Sequence, residues 1–170
     1  IRDSVYPAFV PLTHPLASVR GSYNAIYIKG NGIDDAMFYG RGAGSLPTGS
    51  SVVSDIMEVA KNVAFESTGR FKPFYFDQKN IYSPGKIQSS YYMRLAVDNK
   101  TGVLAKIATK LAEQKISVLS IVQRNKDPET AVLAIVTSKC PHSYILNLID
   151  SFNSLRSVKE VSSVIRIMEA

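Results

Sequence analysis

The sequence predicts an α+β fold, and three observations carry that prediction. Tyr91, Met93, Leu95 and Val97 alternate with Tyr92, Arg94 and Ala96, the period-2 pattern of a half-buried strand. Val103, Leu104, Ile107, Ala108 and Leu111, and later Ile145, Leu148, Ile149 and Phe152, recur instead at helical spacing. Beyond residue 90 the segments run strand, helix, strand, strand, helix, strand, which is the ferredoxin-like βαββαβ order: one four-stranded antiparallel sheet with two helices on one face.

The first third predicts a β-hairpin and then a long helix. Tyr23 to Lys29 and Ala36 to Tyr39 are strand-like, and Gly30-Asn31-Gly32 between them contains an Asn-Gly pair, a strong hairpin signal. A glycine-rich run from Gly40 to Gly49 follows. Val52, Val53, Ile56, Val59, Ala60 and Val63 then recur at helical spacing, which predicts a helix from Pro47 to about Glu66. Glycines between a strand and a helix suit either the cradling of a phosphate or nicotinamide group or a sharp turn against packed backbone. The strict dinucleotide fingerprint is absent, because its third glycine falls on Ser45 counting from Gly40 and on Pro47 counting from Gly42. Residues 67–89 break all periodicity and read as a linker. Its aromatic cluster Phe71, Phe74, Tyr75 and Phe76 points to docking on a neighbour.

In the C-terminal half the first helix is expected to run to about Lys115. Ser117 to Gln123 is β-rich, and Arg124 to Glu129 has turn chemistry. Ala131 to Thr137 is an apolar run of strand length, Pro141 suits a first helical turn, and Val158 to Met168 closes as a strand. The turn from Asp98 to Leu104 joins the first strand to the first helix. Thr101 suits the N-cap, and Gly102 permits close approach of the backbone. A helix N-terminus with free N–H groups beside a small residue suits the carboxylate of a small ligand. The same residues also serve as a plain, tight connection.

The net charge of +6 comes from Lys and Arg spread along the chain rather than gathered in a run, which argues against a nucleic-acid partner. No apolar run approaches the ~20 residues of a transmembrane helix, and no signal-peptide pattern is visible. Cys140, the single cysteine, fits a reducing compartment and reads as an inert thiol. His14 and His142 lack ligand spacing; His14 reads as a hydrogen-bonded packing residue and His142 as a solvated residue of a first helical turn. Asp34 and Asp35 read as solvated hairpin residues, and no catalytic or metal-binding residue is assigned. The chain begins at Ile1 rather than Met, as a piece of something longer would.

Two motifs then resemble one family. Pro11-Leu12-Thr13-His14-Pro15-Leu16-Ala17-Ser18-Val19-Arg20-Gly21-Ser22-Tyr23-Asn24-Ala25 resembles the end of the catalytic region of homoserine dehydrogenases. Phe38-Tyr39-Gly40-Arg41-Gly42-Ala43-Gly44, with Pro47-Thr48 and the Val-rich helix, does so too. The region from Tyr91, with Asp98-x-x-x-Gly102-Val103-Leu104, resembles the ACT domain that many of these enzymes carry at the C-terminus. The resemblance implies residues 1–66 as the tail of the catalytic and dimerisation region, 67–89 as a linker and 90–170 as a regulatory ACT domain. The parent would be a cytoplasmic oxidoreductase interconverting L-homoserine and L-aspartate 4-semialdehyde with NAD(P), in threonine and methionine biosynthesis. The family's nucleotide domain, substrate-binding acidic residues and catalytic Lys precede Pro11, so this chain alone is expected to be inactive and to hold no cofactor. Gly42, Ala43 and Gly44 would border NAD(P) in the intact enzyme. In the family pattern the strand-to-helix turn of one subunit faces the second strand of its neighbour. That places Asp98, Asn99, Gly102, Val103 and Leu104 on one side of an amino-acid effector, with L-threonine the first candidate, and Ser120, Val122 or Gln123 on the other. A homo-oligomer, dimer or tetramer, built through the ACT sheet and the hairpin is implied. The alternative is a non-enzymatic ACT-type oligomerisation module that binds nothing.

Overall fold

A computed structural model describes residues 5–67 and 82–168. They form two units, one of residues 5–11 with 82–168, the other of residues 12–67. Most of the expected linker, with its four clustered aromatics, lies outside the described residues.

The larger unit is built on β4 (Gln88–Asp98), α2 (Val103–Glu113), β5 (Val118–Asn125), β6 (Thr130–Thr137), α3 (His142–Asn153) and β8 (Val158–Ile167). The four long strands are antiparallel in the order β8-β4-β6-β5, so the first strand of the unit lies between its third and its last. That is the arrangement the element order predicts. Tyr91, Met93, Leu95 and Val97 of β4 and Leu133 and Ile135 of β6 are buried, and they meet Ile107 and Leu111 of α2 and Ile145, Leu148 and Phe152 of α3. Each such aliphatic side chain contributes about 1.5–3 kcal/mol by leaving water. Where β6 ends, the hydroxyl of buried Thr137 accepts from the Tyr91 N–H at 3.0 Å, and the two-residue β7 (Cys140–Pro141) then takes up pairing with Gln88 and Ser89. Pro141 is the N-cap of α3 rather than part of its first turn.

One strand has no signal in the sequence. Residues Ala8–Phe9 (β1) pair in parallel with Arg166 and Ile167 of β8, and Phe9 O accepts from Met168 N at 2.8 Å. Phe9 sets its ring edge-on to Tyr92, and the Arg166 guanidinium lies 4.1 Å from the centre of the Tyr6 ring.

The smaller unit holds the hairpin β2 (Tyr23–Gly30) and β3 (Asp34–Arg41), followed by α1 (Ser45–Ala64). The expected hairpin forms, but with a three-residue connection, and Asp34 takes a left-handed φ of 49°. Asp34 and Asp35 are both exposed, as expected of solvated hairpin residues, and the neighbouring Asp35 carboxylate raises the pKa of the Tyr27 phenol. Tyr23 stacks on Tyr39 with ring centroids 4.8 Å apart. His14 is buried, its Nδ1 accepts from Leu16 N at 3.1 Å, and its ring packs edge-on to Tyr27, as expected of a packing histidine. Helix α1 buries none of its residues: Val52, Val53, Ile56, Met57, Val59 and Val63 are each more than half exposed, from 52% to 62%. Such a stripe on a helix is the mark of a face meant to be covered.

Both α1 and α2 close in the same way. In α2, Lys115 adopts φ 57°, its N–H bonds to Ala112 O at 2.9 Å and the Ile116 N–H to Leu111 O at 3.0 Å. In α1, Glu66 adopts φ 49°, with Ser67 N to Asn62 O at 2.8 Å. These are Schellman closures with a charged residue where glycine is usual, so α2 ends two residues before the expected Lys115.

Candidate functional site

The end of β4 and the start of α2 border an open cavity of about 360 Å³. Asp98, Asn99, Gly102, Val103 and Leu104 all line it, and Gln123 reaches it from β5 of the same chain. Ser120 and Val122 do not. Gln123 pairs with Leu133, whose side chain is on the buried face, whereas Val122 pairs with Ala134 and belongs to the opposite face of the sheet. Val97, Lys100, Thr101 and Leu133, none of them expected from the sequence, also line the cavity. Strand alternation places Val97 beside the turn, but nothing local in the sequence signals Leu133.

The turn is held from two sides. Asp98 N donates to Ser157 O and Asn99 N to Glu129 O, each at 2.9 Å, and Asn99 Nδ2 donates to Pro128 O at 3.3 Å. The segment ahead of α2 is therefore tied to the connection before β8 and to the β5–β6 turn. Thr101 is not the cap. Gly102 occupies that position with φ 83°, and no side chain caps the helix. A left-handed φ is what glycine alone takes readily, so Gly102 is required by conformation; nothing lies within 4 Å of where its Cβ would be. With no side-chain cap, the Leu104 and Ala105 N–H groups in the first turn of α2 stay available to an anion, while Val103 N donates to Lys100 O at 3.4 Å. Asp98 supplies the opposite charge at the same mouth, with Lys159 Nζ 3.8 Å from its carboxylate. An acceptor for an ammonium and donors for a carboxylate thus sit across one small cavity, the polar layout that an α-amino acid requires.

The turn between β3 and α1 is different. Gly42 N donates to Ser22 O at 3.0 Å, and a Cβ on Gly42 would run into the Asn24 side chain. The left-handed φ, 124°, belongs to Gly44, which is the N-cap of α1. The close approach permitted by Gly42 is therefore filled by the chain's own Asn24 and leaves no cradle there, while Gly44 opens the helix N-terminus without a side-chain cap.

His142 is not solvated. It begins α3 half-buried, with Nδ1 3.0 Å from the Tyr91 hydroxyl, and burial together with the nearby Arg166 guanidinium lowers its pKa. Burial raises the pKa of the Tyr91 phenol and of the Cys140 thiol, so Cys140 is an unreactive core residue. Among the described residues no group of three or more His, Cys, Asp or Glu is placed to hold a metal ion, and no helix is long and apolar enough to cross a membrane.

Residues 1–57 match the family model described as homoserine dehydrogenase. The homoserine dehydrogenase of Bacillus subtilis is 36% identical over 172 residues, which cover 98% of this chain and 39% of that protein. The homoserine dehydrogenase of Mycobacterium tuberculosis strain H37Rv is 35% identical over 168 residues, covering 96% of this chain and 38% of that protein. The chain belongs to the homoserine dehydrogenase family. It corresponds to a C-terminal part and spans about 39% of the length of its B. subtilis relative. The crystal structure of a homoserine dehydrogenase from Thiobacillus denitrificans superposes with a TM-score of 0.81 at 28% identity, over 95% of this chain and 38% of that one. A homoserine dehydrogenase from Staphylococcus aureus gives 0.52 at 31% identity, over 95% of this chain and 36% of that one. In this chain the family-model match ends inside α1, so the β4–α2 cavity lies outside it.

Proposed function

We propose that this chain is the regulatory C-terminal part of an NAD(P)-dependent homoserine dehydrogenase, interconverting L-homoserine and L-aspartate 4-semialdehyde in threonine and methionine biosynthesis. In this reading residues 1–66 are the tail of the catalytic and dimerisation region, 67–89 a linker, and 90–170 an ACT-type domain that senses an amino acid. The cavity at the β4–α2 turn carries the reading, with L-threonine as the effector. Its α-carboxylate meets the first-turn N–H groups of α2, its ammonium meets Asp98, and its hydroxyl meets Gln123. Val103 and Leu104 supply the apolar wall. The exposed β5 edge of a second copy closes the open side in a homo-oligomer.

Gly42, Ala43 and Gly44 take a secondary part in the cofactor site. The uncapped N-terminus of α1 at Gly44 would suit a phosphate or amide of NAD(P), and Gly42 keeps the turn compact. The cofactor supplies hydride chemistry from a domain outside this chain, so the chain alone reduces or oxidises nothing. Purified chain that oxidised homoserine above a no-enzyme control would contradict this.

One observation favours a second reading, an oligomerisation module without a ligand: Val118, Leu119 and Val122 on edge strand β5 are all exposed, and such an edge invites pairing. Calorimetric titration with L-threonine separates the two. Saturable heat supports the sensor, and its absence together with a dimer mass by light scattering supports the module.

A further inference from the structure

The face of the sheet turned away from α2 and α3 carries a second cavity, of about 440 Å³. Val132 and Ala134 of β6 form its floor, with Tyr92 and Arg94 on the β4 side and Val122 and Arg124 on the β5 side. Strand register fixes this layout, because Arg94 and Val122 both pair with Ala134 and Arg124 pairs with Val132. The two arginines therefore rise from strands two spacings apart, about 10 Å, over a low floor made by an alanine and a valine. Lys126 adds a third cation at the β5 end, and among the described residues no acidic side chain lines the cavity.

The three cations are exposed, and among the described residues no hydrogen bond or ion pair engages their side chains. A second copy docked face to face about a two-fold axis would set these cations against their own counterparts, in a chain already at +6. Self-pairing through this face is thus opposed, and an anion is favoured. Arg supplies a planar fork of donors suited to phosphate. The apolar floor and Tyr92 suit a hydrocarbon or aromatic body, and the volume lies in the range of small-ligand sites.

We propose that this open-face cavity binds a small organic phosphate with an aromatic or apolar body, at a site separate from the Asp98 cavity. The test is isothermal calorimetry on the 170-residue chain with magnesium-free ATP, tripolyphosphate and adenosine as probes, at low and near-physiological salt. ATP is expected to bind saturably, with affinity falling as salt rises. Tripolyphosphate should bind more weakly than ATP, and adenosine not measurably. Arg94→Gln combined with Arg124→Gln should weaken ATP at least about tenfold, whereas Asp98→Ala should leave it unchanged. Both arginines are exposed, so far-UV circular dichroism of the double variant should match the parent. Equal ATP affinity in the double variant, tripolyphosphate binding as tight as ATP, or no saturable phosphate binding would each overturn the proposal.

Discussion

The Asp98 carboxylate lies 3.8 Å from Lys159 Nζ, and the same Nζ donates to the Thr130 hydroxyl at 2.7 Å. Both charged side chains are partly exposed, at 27% and 40%, so the pair itself is worth at most about 1 kcal/mol. Its consequence lies in binding, because Lys159 competes with a ligand ammonium for Asp98. Lys159→Met should tighten L-threonine several-fold in calorimetry while lowering stability by less than about 1 kcal/mol. Weaker binding in this variant would mean that Lys159 itself contacts the ligand.

Lys115 holds a left-handed φ of 57° to close α2. A side chain in that conformation costs about 1 kcal/mol relative to glycine. Lys115→Gly should therefore raise the urea midpoint by an amount equivalent to roughly 0.5–1 kcal/mol. A lower midpoint would show that the lysine side chain contributes more than the backbone strain removes.

His142 sets a pH dependence. Its folded-state pKa is lowered from 6.5 by burial and by Arg166, so as the pH falls the unfolded chain takes up this proton first. The contribution is full above about pH 6.5 and is lost as pH falls below that value towards the lowered folded pKa. His142→Gln should flatten the urea midpoint over that window, and an unchanged slope would assign the loss to other groups.

At Gly42 the structure predicts a packing conflict rather than backbone strain. Gly42→Ala forces the Asn24 side chain aside and should destabilise the hairpin unit by about 1 kcal/mol. Asn24→Ala in the same chain should recover most of that loss, as thermal melts of the single and double variants would show. Additive losses would place the conflict elsewhere.

Much of the fold was legible because burial enforces period. Tyr91, Met93, Leu95 and Val97 are buried on one face of β4, and no other register would bury all four. Helix ends were less legible, since Glu66 and Lys115 close α1 and α2 with a left-handed φ and Gly102 rather than Thr101 is the N-cap of α2. Strand β1 was invisible because Ala8–Phe9 is too short for a period and is held by a partner more than 150 residues away in sequence. The Asp98-to-Leu104 half of the cavity was legible as one contiguous turn. Gln123 from the same chain, Leu133 and Lys159 reach that turn only through strand register, which no local pattern records. The turn from Arg124 to Glu129 illustrates the same limit: it is legible as a turn, but not as the source of the Pro128 and Glu129 carbonyls that hold Asn99.

The most direct test of the account is therefore calorimetric titration of L-threonine into the chain, its Asp98→Ala variant and an Asp150→Ala control on exposed α3 surface. Saturable binding is expected, weakened at least about tenfold by Asp98→Ala through loss of a charge-assisted contact and unchanged by Asp150→Ala. Equal affinity in all three proteins, or no binding to any, would contradict an amino-acid site at the β4–α2 turn.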